Sequence, residues 1–207
     1  MREIELQPEQ ILVPGEYKLG NESILKIYYR IFDRDHGRDL PPVITARADF
    51  ISESQRQERF ERKIEMLNRQ IKEFRAVDAG YFLPLVKKDF ETFSVLIKKS
   101  PYYLLDGNHR SAAATLTHNP IRALEIENDD DISKIEEMVE KGGVFDFKFK
   151  EKDLYTLLSS FEDYCLGEEH AIGRGKIDKV KSVRERVDAL VSNGDLPQYI
   201  IDKYKAK

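Results

Sequence analysis

Residues 102–114 read Tyr-Tyr-Leu-Leu-Asp-Gly-Asn-His-Arg-Ser-Ala-Ala-Ala, an apolar run that turns at Asp-Gly and continues into an alanine-rich segment. The aromatic and aliphatic residues at its start predict a short buried strand. Asp106-Gly107 is typical of a tight turn, and the residues from Ser111 to Leu116 favour a helix. The sequence therefore predicts a strand, a turn and a helix in close succession.

The start of this helix is a candidate anion site. Backbone N–H groups at a helix N-terminus point outwards, and the helix dipole favours negative charge there. His109 and Arg110 add side chains that can donate to phosphate oxygens. A structural interpretation fits the same residues: an ordinary Asp-Gly turn, a solvated His-Arg pair, and alanines packed on a sheet.

Hydrophobic periodicity divides the rest of the chain into further elements. Apolar runs predict strands at 4–6, 11–14, 82–87 and 121–126, and either a strand or an extended connector at 43–46. Helical spacing predicts helices at 21–34, from Ser52 or Ser54 to Phe74, at 132–141, and in the region after Lys152. Residues 87–91 and 93–99 are predicted to form a hairpin-like excursion between two strands.

Composition limits the class of protein. The chain has 207 residues, of which 41% are hydrophobic and 35% charged, enough for one domain with an accessory part or two small domains. A single cysteine excludes a disulfide framework and predicts a reducing, cytoplasmic location. The charged N-terminus does not resemble a signal peptide, and without a long apolar run we expect no membrane residence. A net charge of −4 argues against a nucleic-acid footprint over the whole surface, although a local basic face could still exist.

Three segments together resemble the core of the ParB/sulfiredoxin superfamily: Phe82-Leu83-Pro84-Leu85-Val86-Lys87, Tyr103-Leu104-Leu105-Asp106-Gly107-Asn108-His109-Arg110-Ser111-Ala112-Ala113 and Ile121-Arg122-Ala123-Leu124-Glu125-Ile126. In that superfamily a strand ending in Pro-Ile/Leu-Val leads through a hairpin to a second strand, a phosphate-binding turn, a helix and a third strand. The resemblance implies an α+β fold, with a small mixed sheet and flanking helices at 1–150. A helical insertion at 21–74 and a helical C-terminal region at 151–207 would complete it.

The Asp-Gly-x-His-Arg motif is similar to that of the free-serine kinase-like branch of the superfamily. This resemblance implies a cytoplasmic kinase or NTPase that binds a nucleotide (ADP, ATP or CTP), with Mg²⁺, and a small hydroxylated acceptor. The implied nucleotide-binding residues are Gly107, Asn108, His109, Arg110 and Ser111. The implied catalytic residues are Glu16, Asp106 and His109.

Glu16, two residues after Pro14, would act as the base on the acceptor hydroxyl; an exposed loop carboxylate is the alternative. Three roles stay open for Asp106: it could bind magnesium, assist the acceptor or cap the turn. Asn108 stands where sulfiredoxins carry their catalytic cysteine, and Cys165 lies far downstream, so repair of sulfinic acid is not expected.

Partition-type ParB proteins resemble the same core, which implies nucleotide-dependent DNA binding as the alternative function. Residues 171–207 hold nine Lys/Arg against five Asp/Glu and could form a basic helical face. However, the Gly-Glu-Arg-Arg sequence usual in that family is absent, and no helix-turn-helix pattern follows Ile126. The kinase interpretation therefore leads. The 21–74 region is interpreted as core, as a cover over the acceptor or as the contact of a homodimer.

Other motifs carry weaker signals, and we assign no metal ligands. Gly173-Arg174-Gly175-Lys176 lacks the Ser/Thr and the preceding strand of a P-loop, so we interpret it as a basic linker. The acidic run 125–131 is either a helix cap or a metal site, with the cap favoured. His36, between charged residues before Gly37, is more typical of a solvated turn than of a metal site.

Overall fold

A computed structural model of the chain describes residues 1–14, 19, 21–74, 79–142, 149–166 and 180–206. The six strands in these ranges are β1 (Arg2–Leu6), β2 (Ile11–Val13), β3 (Val43–Arg47), β4 (Tyr102–Asp106), β5 (Ile121–Ile126) and β6 (Lys181–Ser182). The eight α-helices in the same ranges are α1 (Glu22–Asp33), α2 (Glu53–Phe74), α3 (Ala79–Lys99), α4 (Asn108–Leu116), α5 (Asp129–Glu140), α6 (Leu154–Leu166), α7 (Val183–Asn193) and α8 (Gln198–Lys205).

The six strands form one mixed sheet in the order β1-β5-β3-β4-β2-β6. The pairs β5/β3 and β4/β2 are parallel, and the pairs β1/β5, β3/β4 and β2/β6 are antiparallel. The fold is therefore α+β with a mixed sheet, as the sequence predicts. β3 and β4 lie at its centre, next to the turn that the sequence marks as a site.

Helices cover both faces of the sheet. On one face, α1, α4, α7 and α8 bury apolar residues such as Leu25, Ala113 and Val187 against the strands. On the other face, α3, α5 and α6 bury residues such as Phe93 and Leu158. Successive strand side chains point to opposite faces, so β2, β3, β4 and β5 each contribute to both hydrophobic clusters.

The helix starts follow local capping rules. The side chain of Asn21 accepts hydrogen bonds from the backbone N–H groups of Ser23 and Ile24, as predicted for the cap of α1. Ser52 accepts from the N–H of Gln55 at 3.2 Å, which identifies it rather than Ser54 as the cap of α2. Prediction and structure therefore agree on where these two helices begin.

The predicted strand at 82–87 is wrong, and so is the hairpin-like excursion at 87–99, because both segments belong to α3. Leu83, Val86, Phe90, Phe93 and Ile97 recur every three or four residues, which is helical spacing. The short apolar run 82–87 satisfies the strand pattern and the helix pattern equally well in isolation. The longer window around it shows which of the two is adopted.

β3 takes the place in the sheet that we predicted for 82–87. It is the antiparallel neighbour of β4 and begins directly after Pro41-Pro42. The long helices α2 and α3 connect β3 to β4. Residues 21–74 therefore contribute a central strand as well as helices, and this region is not a purely helical insertion.

The predicted helical region at 151–207 also contributes to the sheet. β6 pairs with β2, and α7 packs in the same hydrophobic cluster as α4. Within the described ranges, no helix has the length and apolar character needed to cross a membrane.

Candidate functional site

The turn between β4 and α4 is built around Gly107. Its backbone has φ 105°, a left-handed conformation that residues with a Cβ rarely adopt. A Cβ at this position would lie 2.5 Å from Val43 Cγ1, so the turn packs closely against the start of β3. Glycine is required here both for its backbone conformation and for the space it leaves.

α4 begins directly after the turn, three residues earlier than the predicted Ser111. The N–H groups of a first helical turn lack carbonyl partners within their helix and can point towards an anion. The N–H of Ser111 donates to the carbonyl oxygen of Gly107 at 2.9 Å. Ser111 is buried and its hydroxyl donates to the carbonyl of Asn108 at 3.0 Å, so this side chain contributes to the internal structure of the helix.

Arg110 lies inside the protein rather than on a solvated surface. Its side chain is 5% exposed, and Nη2 lies 2.5 Å from Asp106 Oδ2. Nη1 donates to the carbonyl oxygens of Pro41 and Pro42 at 2.8 and 2.5 Å. Burial lowers the pKa of Arg110, while the Asp106 charge acts in the opposite direction. The guanidinium thus connects the turn to the segment that precedes β3.

His109 presents a polar atom that has no partner in the described part of the chain. Its Nε2 is buried and makes no hydrogen bond there. Burial lowers the pKa of the imidazole below its usual 6.5, which favours the neutral ring at pH 7. A buried ring nitrogen without a hydrogen bond is costly unless a ligand or a water supplies the bond.

Asp106 is the most accessible charged group of the turn, with 26% of its side chain exposed. Its Oδ2 is bound to Arg110. A partly exposed carboxylate can take one position in the shell of a hydrated Mg²⁺ that is otherwise filled by water and phosphate oxygens.

Glu16 lies outside the described residues, so its predicted role stays a prediction. The strand that leads towards it is described: β2 runs parallel to β4, with Leu12 opposite Tyr103. Pro14, which follows β2, is therefore at the same edge of the sheet as the turn that follows Asp106.

The remaining candidates have structural partners or lie outside the described part. His36 is exposed, and its Nδ1 is 3.0 Å from Asp39 Oδ2. The acidic run provides helix caps: Asn128 caps α5, and buried Asp131 pairs with Lys134 at 2.8 Å. Among the described residues, no three His, Cys, Asp or Glu side chains are grouped to hold a metal ion. The segment Gly173–Lys176 lies outside the described residues.

Two basic residues of the C-terminal region, which we considered as part of a basic face, form contacts within the fold. Arg184 Nε donates to Glu9 at 2.7 Å, and Lys203 lies 2.5 Å from Asp33. Both pairs are at least partly exposed, and such pairs contribute little to stability.

A second polar cluster, on the other face of the sheet, is absent from the sequence interpretation. The Glu162 carboxylate, 1% exposed, accepts hydrogen bonds from Arg56, Arg59 and the Tyr103 hydroxyl at 2.8 to 2.9 Å. Burial alone would lower the pKa of Arg56, but the Glu162 carboxylate raises it. Burial and the Glu162 charge raise the pKa of Tyr103 well above its usual value.

The sequence contains a partial signal for this cluster. Arg56, Arg59, Arg62 and Lys63 recur at helical spacing along α2. Glu162, the partner of Arg56 and Arg59, is about one hundred residues away, so the spacing predicts a basic face on a helix but not a buried ion pair.

Comparisons of the chain with protein-family models, with curated proteins and with solved structures found no match.

Proposed function

We propose that this protein binds the phosphate groups of a nucleotide at the turn between β4 and α4, and transfers a phosphoryl group to a small hydroxylated acceptor. The observation that carries the proposal is the left-handed Gly107 between a buried strand and a helix start, braced by Arg110. A rigid turn that opens into a helix N-terminus is a common way to bind phosphate.

The side chains of the turn support this proposal in different ways. Neutral His109 can donate a hydrogen bond to, or accept one from, a bound nucleotide after a small rotation of its ring. Asp106 could hold Mg²⁺ against the phosphates, and the ion would neutralise charge on the transferred phosphoryl group and on the leaving phosphate of the nucleotide. Arg110 holds the turn in place, and its guanidinium places a positive charge next to the turn.

The acceptor side of the proposal depends on the parallel pairing of β2 and β4. Because parallel strands end at the same edge of a sheet, Pro14, directly after β2, lies at the edge that carries the turn between β4 and α4. A carboxylate base must come within hydrogen-bond distance of the acceptor hydroxyl. Glu16, two residues beyond Pro14, is the residue that we assign to this role.

Nucleotide binding is the first step to test. Thermal unfolding would be followed with ADP, ATP, CTP or GTP and Mg²⁺, because a ligand that binds only the folded state raises its melting temperature. We expect one nucleotide to raise the Tm of the native chain, and a smaller shift for His109→Gln. His36→Gln, which changes an exposed histidine, should keep the full shift. If no nucleotide raises the Tm of the native chain, the proposal is wrong.

Phosphoryl transfer is tested separately, with the nucleotide that binds. Small hydroxylated acceptors would be screened by ³¹P NMR for a new phosphate ester. Glu16→Gln should bind the nucleotide as the native chain does but form no ester, whereas Glu22→Gln, at an exposed helix start, should remain active. Nucleotide binding without ester formation would limit the function to binding, and a CTP preference would favour the partition-type alternative.

A further inference from the structure

The helices α2 and α6 enclose a pocket of about 280 Å³ on the sheet face opposite to α4. Its lining includes the cations Arg56, Arg59, Arg62 and Lys63 and the carboxylates of Glu162 and Asp163. The lining holds four positive groups against two negative groups, and Glu58, outside the lining, pairs with Arg62. The pocket is therefore electrostatically suited to an anion.

The two carboxylates are already bound to the arginines at the base of the pocket. Glu162 accepts from both Arg56 and Arg59, and Arg59 also pairs with Asp163. The side chains of Arg56 and Arg59 are 9% and 19% exposed. These four groups form a pre-positioned, charge-balanced base, so the cations that would contact a ligand are those at the rim of the pocket, Arg62 and Lys63.

Arg62 at the rim can exchange its partner. It pairs with Glu58 at 2.7 Å on the same helix, and the two side chains are 68% and 65% exposed. Surface pairs of this kind contribute little, because water and salt screen both charges. A ligand anion can therefore replace Glu58 at low cost, with the guanidinium offering two parallel donors to a carboxylate or phosphate.

The wall of the pocket is aromatic and aliphatic. The rings of Phe60 and Phe90 stack with their centroids 4.1 Å apart. Met66, 52% exposed, and Leu166 complete the apolar part of the lining. A flat apolar group can pack against this wall while its charged group reaches the rim.

We propose that this pocket is a second binding site, for a small organic anion, carboxylate or phosphate, that carries an aromatic ring. The site is separate from the phosphate turn, since α2 and α6 lie on the opposite face of the sheet. The ring would pack on Phe60 and Met66, and the anionic group would bind Arg62 and Lys63.

Phenyl phosphate and benzoate are suitable probes, with benzyl alcohol as a neutral control, benzylamine as a cationic control and inorganic phosphate as a control without a ring. Each would be titrated into ¹⁵N-labelled protein and followed by amide chemical shifts. We expect phenyl phosphate or benzoate to shift signals of residues 59–66 and 162–166, with a Kd on the order of 1 mM for a ligand of this size. The three controls should cause no saturable shift there.

Matched variants test the charge recognition. Arg62→Gln combined with Lys63→Gln should weaken the binding of phenyl phosphate by about five-fold, the range expected for exposed charges. Arg69→Gln, an exposed arginine on the same helix outside the pocket lining, should leave the Kd unchanged.

Three results would overturn the proposal: no saturable shift up to ten times the expected Kd, equal binding of benzylamine, or equal weakening by Arg69→Gln. Shifts confined to 107–111 would also overturn it and would support phosphate binding at the turn. The result at the pocket does not test nucleotide binding at the turn between β4 and α4, because the two sites are followed through the amide signals of different residues.

Discussion

Arg110, in the first turn of α4, forms an ion pair with Asp106 at the end of β4, with Nη2 2.5 Å from Oδ2. The other guanidinium nitrogen donates to the carbonyl oxygens of Pro41 and Pro42. One buried side chain thus joins the end of β4, the start of α4 and the segment before β3. An arginine that the motif marks as a phosphate ligand is also a structural brace.

Replacing this arginine should destabilise the fold strongly. Arg110→Met leaves the buried Pro42 carbonyl, the partly buried Pro41 carbonyl and the Asp106 carboxylate without their donor, and we expect the free energy of unfolding to fall by about 3–5 kcal/mol. Urea denaturation measures the change. Arg38→Met, whose side chain is 84% exposed, should change it by about 0.5 kcal/mol or less. Equal effects of the two variants would show that the brace does not contribute to stability.

Gly107 provides a second test of the turn. In Gly107→Ala the new methyl group would collide with Val43, and alanine would be strained in the left-handed backbone conformation of this position, so we expect the free energy of unfolding to fall by about 2–5 kcal/mol. Gly194→Ala has a similar left-handed backbone, φ 76°, but no atom within 4 Å of the new methyl group. It should lose only about 1 kcal/mol.

A double-mutant cycle can separate the two contributions to the Gly107→Ala effect, the collision with Val43 and the left-handed backbone conformation. In a Val43→Ala background the 2.5 Å contact with Val43 Cγ1 is removed and the 2.8 Å contact with Cβ remains, so Gly107→Ala should cost less there than in the native chain. An unchanged cost would assign the effect to the backbone conformation and the remaining Cβ contact, and none of it to Val43 Cγ1. Urea denaturation of the native protein, the two single variants and the double variant gives the four free energies of unfolding that the cycle compares.

The site turn could be predicted from the sequence because its signals are local. Tyr102 to Ala114 contain a strand run, a turn dipeptide and a helix former in direct succession, and the structure has all three. The strand predicted at 82–87 is wrong, because a short apolar run fits a strand and a helix equally. Only its continuation through Phe90, Phe93 and Ile97 distinguishes the two.

Long-range relationships could not be predicted in this way. Nothing near Arg110 in the sequence indicates that the carbonyl groups of Pro41 and Pro42, almost 70 residues earlier, bind its guanidinium. The cluster around Glu162 likewise joins residues from three separate elements. Such contacts depend on how the sheet is ordered, and neither hydrophobic periodicity nor charge spacing specifies that order.

The stability of the protein should depend on the protonation of His109. Burial lowers the pKa of His109 in the folded state, whereas the unfolded chain takes up the proton near pH 6.5. Above that pH the imidazole of His109 is neutral in both the folded and the unfolded state, and the protein has its full stability. As the pH falls through 6.5, the unfolded state binds more protons than the folded state, so the free energy of unfolding decreases until the folded pKa is passed.

Urea denaturation at about pH 7.5 and about pH 5 tests this dependence. The native chain should lose more stability between the two values than His109→Gln, which has no imidazole to titrate. His36→Gln, which changes an exposed histidine, is the matched control. The same loss in all three proteins would mean that His109 does not contribute to the pH dependence.

The buried carboxylate of Glu162 should be the centre of the polar cluster on the opposite face of the sheet. Glu162→Gln would leave Arg56 and Arg59 without their shared anion, and we expect the free energy of unfolding to fall by about 3–5 kcal/mol. Tyr103→Phe removes one hydrogen bond to the same carboxylate and should cost about 1–2 kcal/mol. Asp163→Asn is the matched control. The Asp163 carboxylate is 37% exposed and pairs with Arg59 but not with Arg56, so this substitution should lower the free energy of unfolding by about 1 kcal/mol or less. If Glu162→Gln cost no more than Asp163→Asn, the two arginines would not depend on Glu162, and the pocket would lose its pre-positioned base.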